Sequence, residues 1–200
     1  MNGGTITLNA TDGGWWDNTG LAGLTYGAGT NYIVGFCAGG LCGNPYFNDF
    51  FVFSLASVDV PITSATLSLF NPSSGYSSPL PTELYQVGSV STPIAILTGG
   101  GTGQVGIFND LASGTVYGTT LVSAATDNAQ VTIPLDAAAI TALNGAEGGS
   151  IAFGGTLIDP VAAVPEPSTL GLAGVGAIIL LWLARRRTQI SKDPRPGAQI

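Results

Sequence analysis

The sequence predicts an all-β protein, an antiparallel β-sandwich with one short helix, followed by a C-terminal single transmembrane helix. Short runs that alternate apolar and polar residues recur at intervals of roughly 8–14 residues, which is typical of sandwiches. The 200 residues include 30 glycines and 12 prolines, enough for many tight turns between short strands. The transmembrane helix is predicted from an uncharged apolar run at residues 170–184.

The individual elements follow from local patterns. Asp136 is a favourable N-cap, alanines follow it, and Asn144-Gly145 is a pair that ends helices, so the short helix is expected over residues 136–145. Residues 12–20 are rich in glycine, aspartate and asparagine and are expected to form a turn. The predicted strands are 5–8, 31–36, 48–55, 65–70, 82–87, 93–97, 104–108, 119–123, 130–135 and 150–153.

Charge is distributed very unevenly. All five basic residues lie within 185–200, where Asp193 reduces their sum to +4; residues 1–184 hold eleven acids and no Lys, Arg or His, or −11, and the total is −7. A body without cations cannot neutralise phosphates, which excludes nucleic acid as a partner. It also lacks the His and Lys that most hydrolases use, so the protein is not expected to be an enzyme.

The composition divides the chain into four segments: an exported β-sandwich domain at 1–160, a Pro-rich spacer at 161–169, the transmembrane helix at 170–184 and a basic cytoplasmic tail at 185–200. Counted with Ser168 and Thr169, the apolar run would span about 25 Å as a helix, the thin end of a bilayer core. A buried core helix is the alternative, which the basic run directly after it disfavours.

The basic run also predicts an orientation. By the positive-inside rule Arg185, Arg186 and Arg187 act as the stop-transfer signal and stay in the cytoplasm, so the N-terminal body is exported. Export requires a targeting signal, whereas residues 1–8 have neither a basic nor an apolar region. We therefore expect a signal peptide that is missing from this sequence.

Two cysteines, Cys37 and Cys42, are separated by four residues in a Gly-rich segment. Without histidine or a second cysteine pair, a structural zinc site would lack its usual ligands. A disulfide that closes this loop is the favoured interpretation, with two free buried thiols as the alternative. Such a short bridge would stabilise the fold by only about 2–3 kcal/mol and would suit an oxidising compartment.

A possible carbohydrate contact is the cluster of Asp12, Trp15, Trp16 and Asp17, because indole rings stack on sugars and carboxylates accept hydrogen bonds from hydroxyls. The favoured interpretation is nevertheless that the adjacent tryptophans point to opposite sides of a strand, one in the core and one capping an end. If the first interpretation holds, the protein is a carbohydrate-binding module.

No cofactor is expected. A Ca²⁺ site built from Asp12, Asp17 or Asp49 with loop carbonyls is chemically reasonable, but no spacing matches a known calcium loop. A glycoside hydrolase would need two carboxylates about 5–10 Å apart, and no pair of acids stands out.

The tail contains a recognisable linear pattern. Val164-Pro165-Glu166-Pro167-Ser168-Thr169, then the Gly/Ala/Leu-rich run, then three arginines, closely resembles the PEP-CTERM sorting signal over residues 163–187. The resemblance implies an exported bacterial protein whose partner is an exosortase, a membrane protease that recognises Pro165-Glu166-Pro167 and cleaves near it. The chain departs from the usual pattern in the thirteen residues, 188–200, that follow the arginines.

A second resemblance concerns the body. Residues 50–55 and 62–70 contain F-x-F-x-L and I-x-S-A-x-L-x-L, a pairing similar to that of jelly-roll-like β-sandwich domains in secreted bacterial surface proteins. Together the two resemblances imply a non-catalytic cell-surface or matrix protein, associated with exopolysaccharide or biofilm. The alternatives are the carbohydrate-binding module and a permanently anchored single-pass membrane protein.

Overall fold

The computed structural model describes residues 4–25, 32–36 and 45–158. Within these ranges the chain is mostly β-sheet with few helices, in agreement with the predicted all-β class. The strands are β1 (Ala10–Asp17), β2 (Ala22–Thr25), β3 (Gly35–Phe36), β4 (Tyr46–Ser54), β5 (Thr66–Asn71), β6 (Glu83–Ser89), β7 (Val116–Val122), β8 (Ala129–Pro134) and β9 (Ser150–Ile158). The helices are α1 (Ile94–Leu97), α2 (Val105–Ser113) and α3 (Ala137–Gly145).

Seven strands form one antiparallel sheet, in the order β2-β1-β4-β9-β6-β7, with β3 paired to the start of β4. Strand β4 is central: β1 pairs along one of its edges, and β9 and then β3 pair along the other. Strands β5 and β8 form a separate two-stranded antiparallel sheet.

Both faces of the large sheet are covered, which explains why the residues from Phe47 to Val52 are all buried rather than alternating. On one face α1 and α2 pack over Trp16, Phe50 and Val52. Helix α2 contributes Ile107 and Leu111, which lie four positions apart and so share one side of the helix.

The other face of the large sheet packs against α3 and the small sheet. Tyr85, Val87 and Phe153 of the large sheet form one hydrophobic core with Ile133 of β8 and Leu143 of α3. The two cores fix β4, β6 and β9 from both sides, and these three strands carry the polar groups described below.

The N-terminal prediction is wrong. Residues 4–9 form no strand, and the segment expected to be a turn is strand β1, which runs through Gly13 and Gly14. A Cβ atom on Gly14 would lie 2.6 Å from the Gly23 carbonyl oxygen and 3.0 Å from the Phe50 ring. The glycines that favour a turn in isolation are thus required here by close packing within a sheet.

Two predicted strands are also wrong, because residues 94–97 of the first form α1 and residues 105–108 of the second belong to α2. The described ranges therefore contain three α-helices and not one. Their β-branched residues favour strands locally, but burial of Leu97, Ile107 and Leu111 on the large sheet overrides that propensity. The predicted strand 31–36 is reduced to Gly35–Phe36 among its described residues.

Other predictions are confirmed. Helix α3 begins after Asp136, whose Oδ1 accepts a hydrogen bond from the Ala139 amide at 2.9 Å, as expected of an N-cap. The predicted strands 48–55, 65–70, 82–87, 119–123, 130–135 and 150–153 correspond to β4–β9 with shifted ends. None of the helices in the described ranges has the length and apolar character needed to cross a membrane; the predicted span, 170–184, lies outside those ranges.

Candidate functional site

A buried carboxyl group lies at the centre of the large sheet. Asp49, in the middle of β4, has no solvent-exposed surface, and its Oδ1 accepts a hydrogen bond from the Tyr85 hydroxyl of β6 at 2.9 Å. Its Oδ2 is also buried and has no hydrogen-bond partner among the described residues. An unpartnered buried carboxylate oxygen is costly, so this group departs from what stability alone would select.

Strand β9 lies between β4 and β6 and allows Asp49 and Tyr85 to form their hydrogen bond. Asp49 is paired with Gly155 of β9, and Gly155 is in turn paired with Val87 of β6. A Cβ atom on Gly155 would overlap both the Asp49 carboxylate and the Tyr85 hydroxyl. Because Gly155 has no side chain, it leaves space for the Asp49 carboxylate and the Tyr85 hydroxyl to form their hydrogen bond across β9.

We expect Gly155→Ala to lower the free energy of unfolding by about 1–3 kcal/mol, since the new methyl group must displace the carboxylate and the phenol. Chemical denaturation measures this loss. Gly106→Ala is the matched control: Gly106 is exposed within α2 and no described residue lies within 4 Å of its Cβ position, so alanine should raise stability by about 0.5–1 kcal/mol. Equal stability of Gly155→Ala and wild type would contradict the packing argument.

The environment changes the acidity of both groups. Burial raises the pKa of Asp49 from 3.8 to about 7, and the Tyr85 hydrogen bond opposes this rise. Burial, and then the charge of Asp49, raise the pKa of Tyr85 well above 10, so Tyr85 remains a hydrogen-bond donor at neutral pH. Burial and the Asp49 charge also raise the pKa of Tyr32.

Asp49 and Tyr85 lie at the floor of a cavity of about 730 Å³ between the two sheets. Aromatic side chains line this cavity, and three of them, Phe36, Tyr46 and Phe70, are about half exposed at 52%, 53% and 47%. The rings of Phe36 and Tyr46 lie 4.8 Å apart. We call this space the Asp49 cavity; its size suits a small organic ligand.

The structure places the two tryptophans of the predicted carbohydrate cluster on opposite sides of β1. Trp16 is fully buried and its indole Nε1 donates to the Leu97 carbonyl at 3.1 Å, so it offers no face to a sugar. Trp15 points to the other side of β1, where its ring lies over Gly23 and meets Phe47 edge-on at 4.8 Å. This arrangement agrees with the favoured interpretation, in which one of the two tryptophans lies in the core, and the possible carbohydrate contact is wrong for Trp16.

The acids of that cluster have local structural partners. Asp17 is buried, and its Oδ1 accepts hydrogen bonds from the Thr19 amide, the Thr19 hydroxyl and the Leu21 amide, which closes the turn between β1 and β2. Asp12 accepts from the adjacent Gly13 amide at 2.7 Å. Over the described ranges no group of three or more Asp, Glu, Cys or His residues is arranged to hold a metal ion.

Other predicted site residues lie outside the described ranges. These are the two cysteines, Cys37 and Cys42, the sorting residues Val164–Thr169 and the basic run Arg185–Arg187. Sequence reasoning, in turn, named Asp49 only as a calcium ligand and did not identify Tyr85, Gly155 or the cavity. The available signal was an acid inside an otherwise apolar central strand.

Comparison with protein families matches residues 163–187 to the PEP-CTERM protein-sorting motif. A search of curated proteins finds no match to the chain. The family match covers the tail and assigns nothing to residues 1–162, which include all the described elements. It confirms the resemblance seen in the sequence: the chain carries a PEP-CTERM sorting motif, the signature of an exported protein that an exosortase sorts.

Proposed function

We propose that this chain is a non-catalytic exported protein, held at the inner membrane by its tail and released by an exosortase to the cell surface or extracellular matrix. The observation that carries the proposal is the PEP-CTERM match over residues 163–187. In this proposal the tail determines where the protein goes, and the β domain is what is delivered.

The chemistry of the tail supports the proposal. Pro165 and Pro167 disfavour helix, so in this proposal the Glu166 segment would be available to a protease next to the membrane helix that the sequence predicts at 170–184. The three arginines that follow disfavour translocation, which places the N-terminal body outside and the C-terminus inside the cytoplasm. The recognition motif would then lie at the outer face of the membrane.

The proposal also covers the fold of the body and its destination. We propose that it is a jelly-roll-like β-sandwich whose layers are the large sheet and the β5–β8 sheet, and that it resides within exopolysaccharide. Residues 1–184 carry no basic residue, so ionic attraction to anionic polymer does not hold it there.

Processing is tested in a host with and without its exosortase, using the chain fused to a secretory signal peptide. With the enzyme we expect a released form that lacks the segment after the motif; without it we expect the full-length chain in the membrane fraction. Replacing Pro165, Glu166 and Pro167 by alanine should reduce release at least tenfold. Mass spectrometry gives the C-terminus, and trypsin should leave the released body uncut because it has no Lys or Arg.

The matched control replaces Pro194 and Pro196, two prolines beyond the arginine run, and should be released like wild type. Full-length protein that keeps its arginines in the exosortase-positive host would contradict release and would favour the permanently anchored form. Release that is independent of the enzyme would contradict the exosortase as the partner.

A further inference from the structure

The Asp49 cavity has an unusual charge balance. Asp49 is fully buried at its floor, where one of its carboxylate oxygens has no hydrogen-bond partner within the described ranges, and Glu83 contributes a second carboxylate to the same lining. No Lys, Arg or His occurs anywhere in residues 1–184, so no side chain of the body can neutralise either acid. A bound cation is the missing counter-charge that would make this arrangement favourable.

The walls of the cavity suit the same kind of ligand. Six aromatic rings from the described part of the chain line it, and the electron-rich faces of such rings attract ammonium groups. Apolar side chains from both sheets, including Leu69, Val131 and Leu157, complete the lining and can pack against a hydrocarbon chain. The aromatic residues are Tyr32, Phe36, Tyr46, Phe70, Tyr76 and Tyr85.

We propose that the Asp49 cavity binds a small organic cation, a protonated alkylamine whose N–H group donates to Asp49 and whose hydrocarbon chain packs on the aromatic walls. A primary ammonium supplies both the positive charge and the donor that the unpartnered carboxylate oxygen lacks. A neutral sugar could supply a donor but would leave the charge of the two acids uncompensated. An anion would be repelled.

The ionisation of Asp49 gives the site a pH dependence. The raised pKa of Asp49, about 7, means that the free carboxyl is protonated at pH 5.5 and ionised at pH 8. The titratable groups around it are the Tyr85 and Tyr32 phenols, with Glu83, Tyr46 and Tyr76 elsewhere in the lining. Because the pKa values of the Tyr85 and Tyr32 phenols are raised above 10, these two groups stay neutral over this range, so a change in amine affinity between the two pH values reports mainly on Asp49.

The test measures binding of three ligands of equal length, hexylammonium, 1-hexanol and hexanoate, to the full chain by titration calorimetry. At pH 8 we expect hexylammonium to bind at least tenfold more tightly than 1-hexanol, and hexanoate not to bind. At pH 5.5 hexylammonium should lose at least fivefold in affinity. Asp49→Asn keeps an acceptor for Tyr85 and should abolish the preference for the amine.

Asp59→Asn is the charge-matched control, because Asp59 is exposed and outside the cavity lining; it should bind hexylammonium like wild type. Tyr46→Leu, a change at a half-exposed wall position, should weaken amine binding several-fold without unfolding the chain. Equal affinity for hexanol and hexylammonium, binding of glucose but not the amine, or no binding at millimolar concentration would each overturn the proposal. None of these outcomes bears on exosortase processing, which depends on the tail.

Discussion

Replacing Trp16 with alanine is expected to lower the free energy of unfolding by about 3–5 kcal/mol, the usual cost of emptying a large buried aromatic site. Trp16 has no exposed surface and packs with Phe50, Leu97 and Leu111 between the large sheet and the two helices on that face. Its indole N–H also satisfies the carbonyl of Leu97, the last residue of α1, so the substitution leaves a buried acceptor without its donor. Denaturant unfolding followed by fluorescence and circular dichroism measures the loss.

Trp15→Ala is the comparator on the neighbouring residue. Trp15 is partly exposed, and its ring covers Gly23 and meets Phe47, so its loss should cost clearly less than that of Trp16. Trp16→Phe should recover most of the packing but not the hydrogen bond, and should fall between Trp16→Ala and wild type. A greater loss from Trp15→Ala than from Trp16→Ala would reverse the assignment of which tryptophan belongs to the core.

The strands that could be predicted are those whose own residues alternate. Strand β5 places Leu67 inwards between exposed positions, and its partner β8 does the same with Val131 and Ile133. Helix α3 could be predicted because its N-cap and its alanines are local signals that tertiary packing does not oppose. The sorting motif could be predicted for a related reason, since its chemistry lies within a contiguous stretch of sequence.

The helices on the large sheet could not be predicted as easily. In α2 the helical spacing is shown by Ile107 and Leu111, which are both buried. A sequence window that ends at Phe108 leaves out Leu111 and contains only a short run with β-branched residues. In α1 the four residues Ile94–Leu97 are too few to show a helical period. Both segments form helices because they pack on the apolar face made by Trp16, Phe50 and Val52. These three residues come from distant parts of the chain.

The Asp49 cavity is the feature that is hardest to predict from the sequence. Asp49 is visible as an acid in an apolar strand, but its partner Tyr85 lies 36 positions away and the gap that joins them is left by Gly155, in a third strand. Their meeting depends on the register of β4, β9 and β6, which a one-residue slip would destroy. Register of this kind follows from the packed cores and not from local propensity.

The second large effect concerns pH. The folded-state pKa of Asp49 is about 7 and its ordinary value is 3.8, so between these values the folded protein binds more protons than the unfolded chain. Protonated Asp49 contributes its full stabilisation of the folded state below pH 3.8, and this contribution is lost as the pH rises through 7. Wild type is therefore expected to be less stable at pH 8 than at pH 5 by about 3 kcal/mol from this group alone.

Asp49→Asn should remove this contribution, because asparagine does not titrate and its side-chain carbonyl still accepts from Tyr85. The stability of Asp49→Asn minus that of wild type should thus increase by about 3 kcal/mol from pH 5 to pH 8, measured by denaturant unfolding at both values. The same difference for Asp59→Asn should change far less, because Asp59 is exposed. Parallel pH profiles of Asp49→Asn and wild type would mean that Asp49 is ionised in the folded protein throughout. The carboxyl would then need a permanent counter-charge, which no side chain in residues 1–184 can provide.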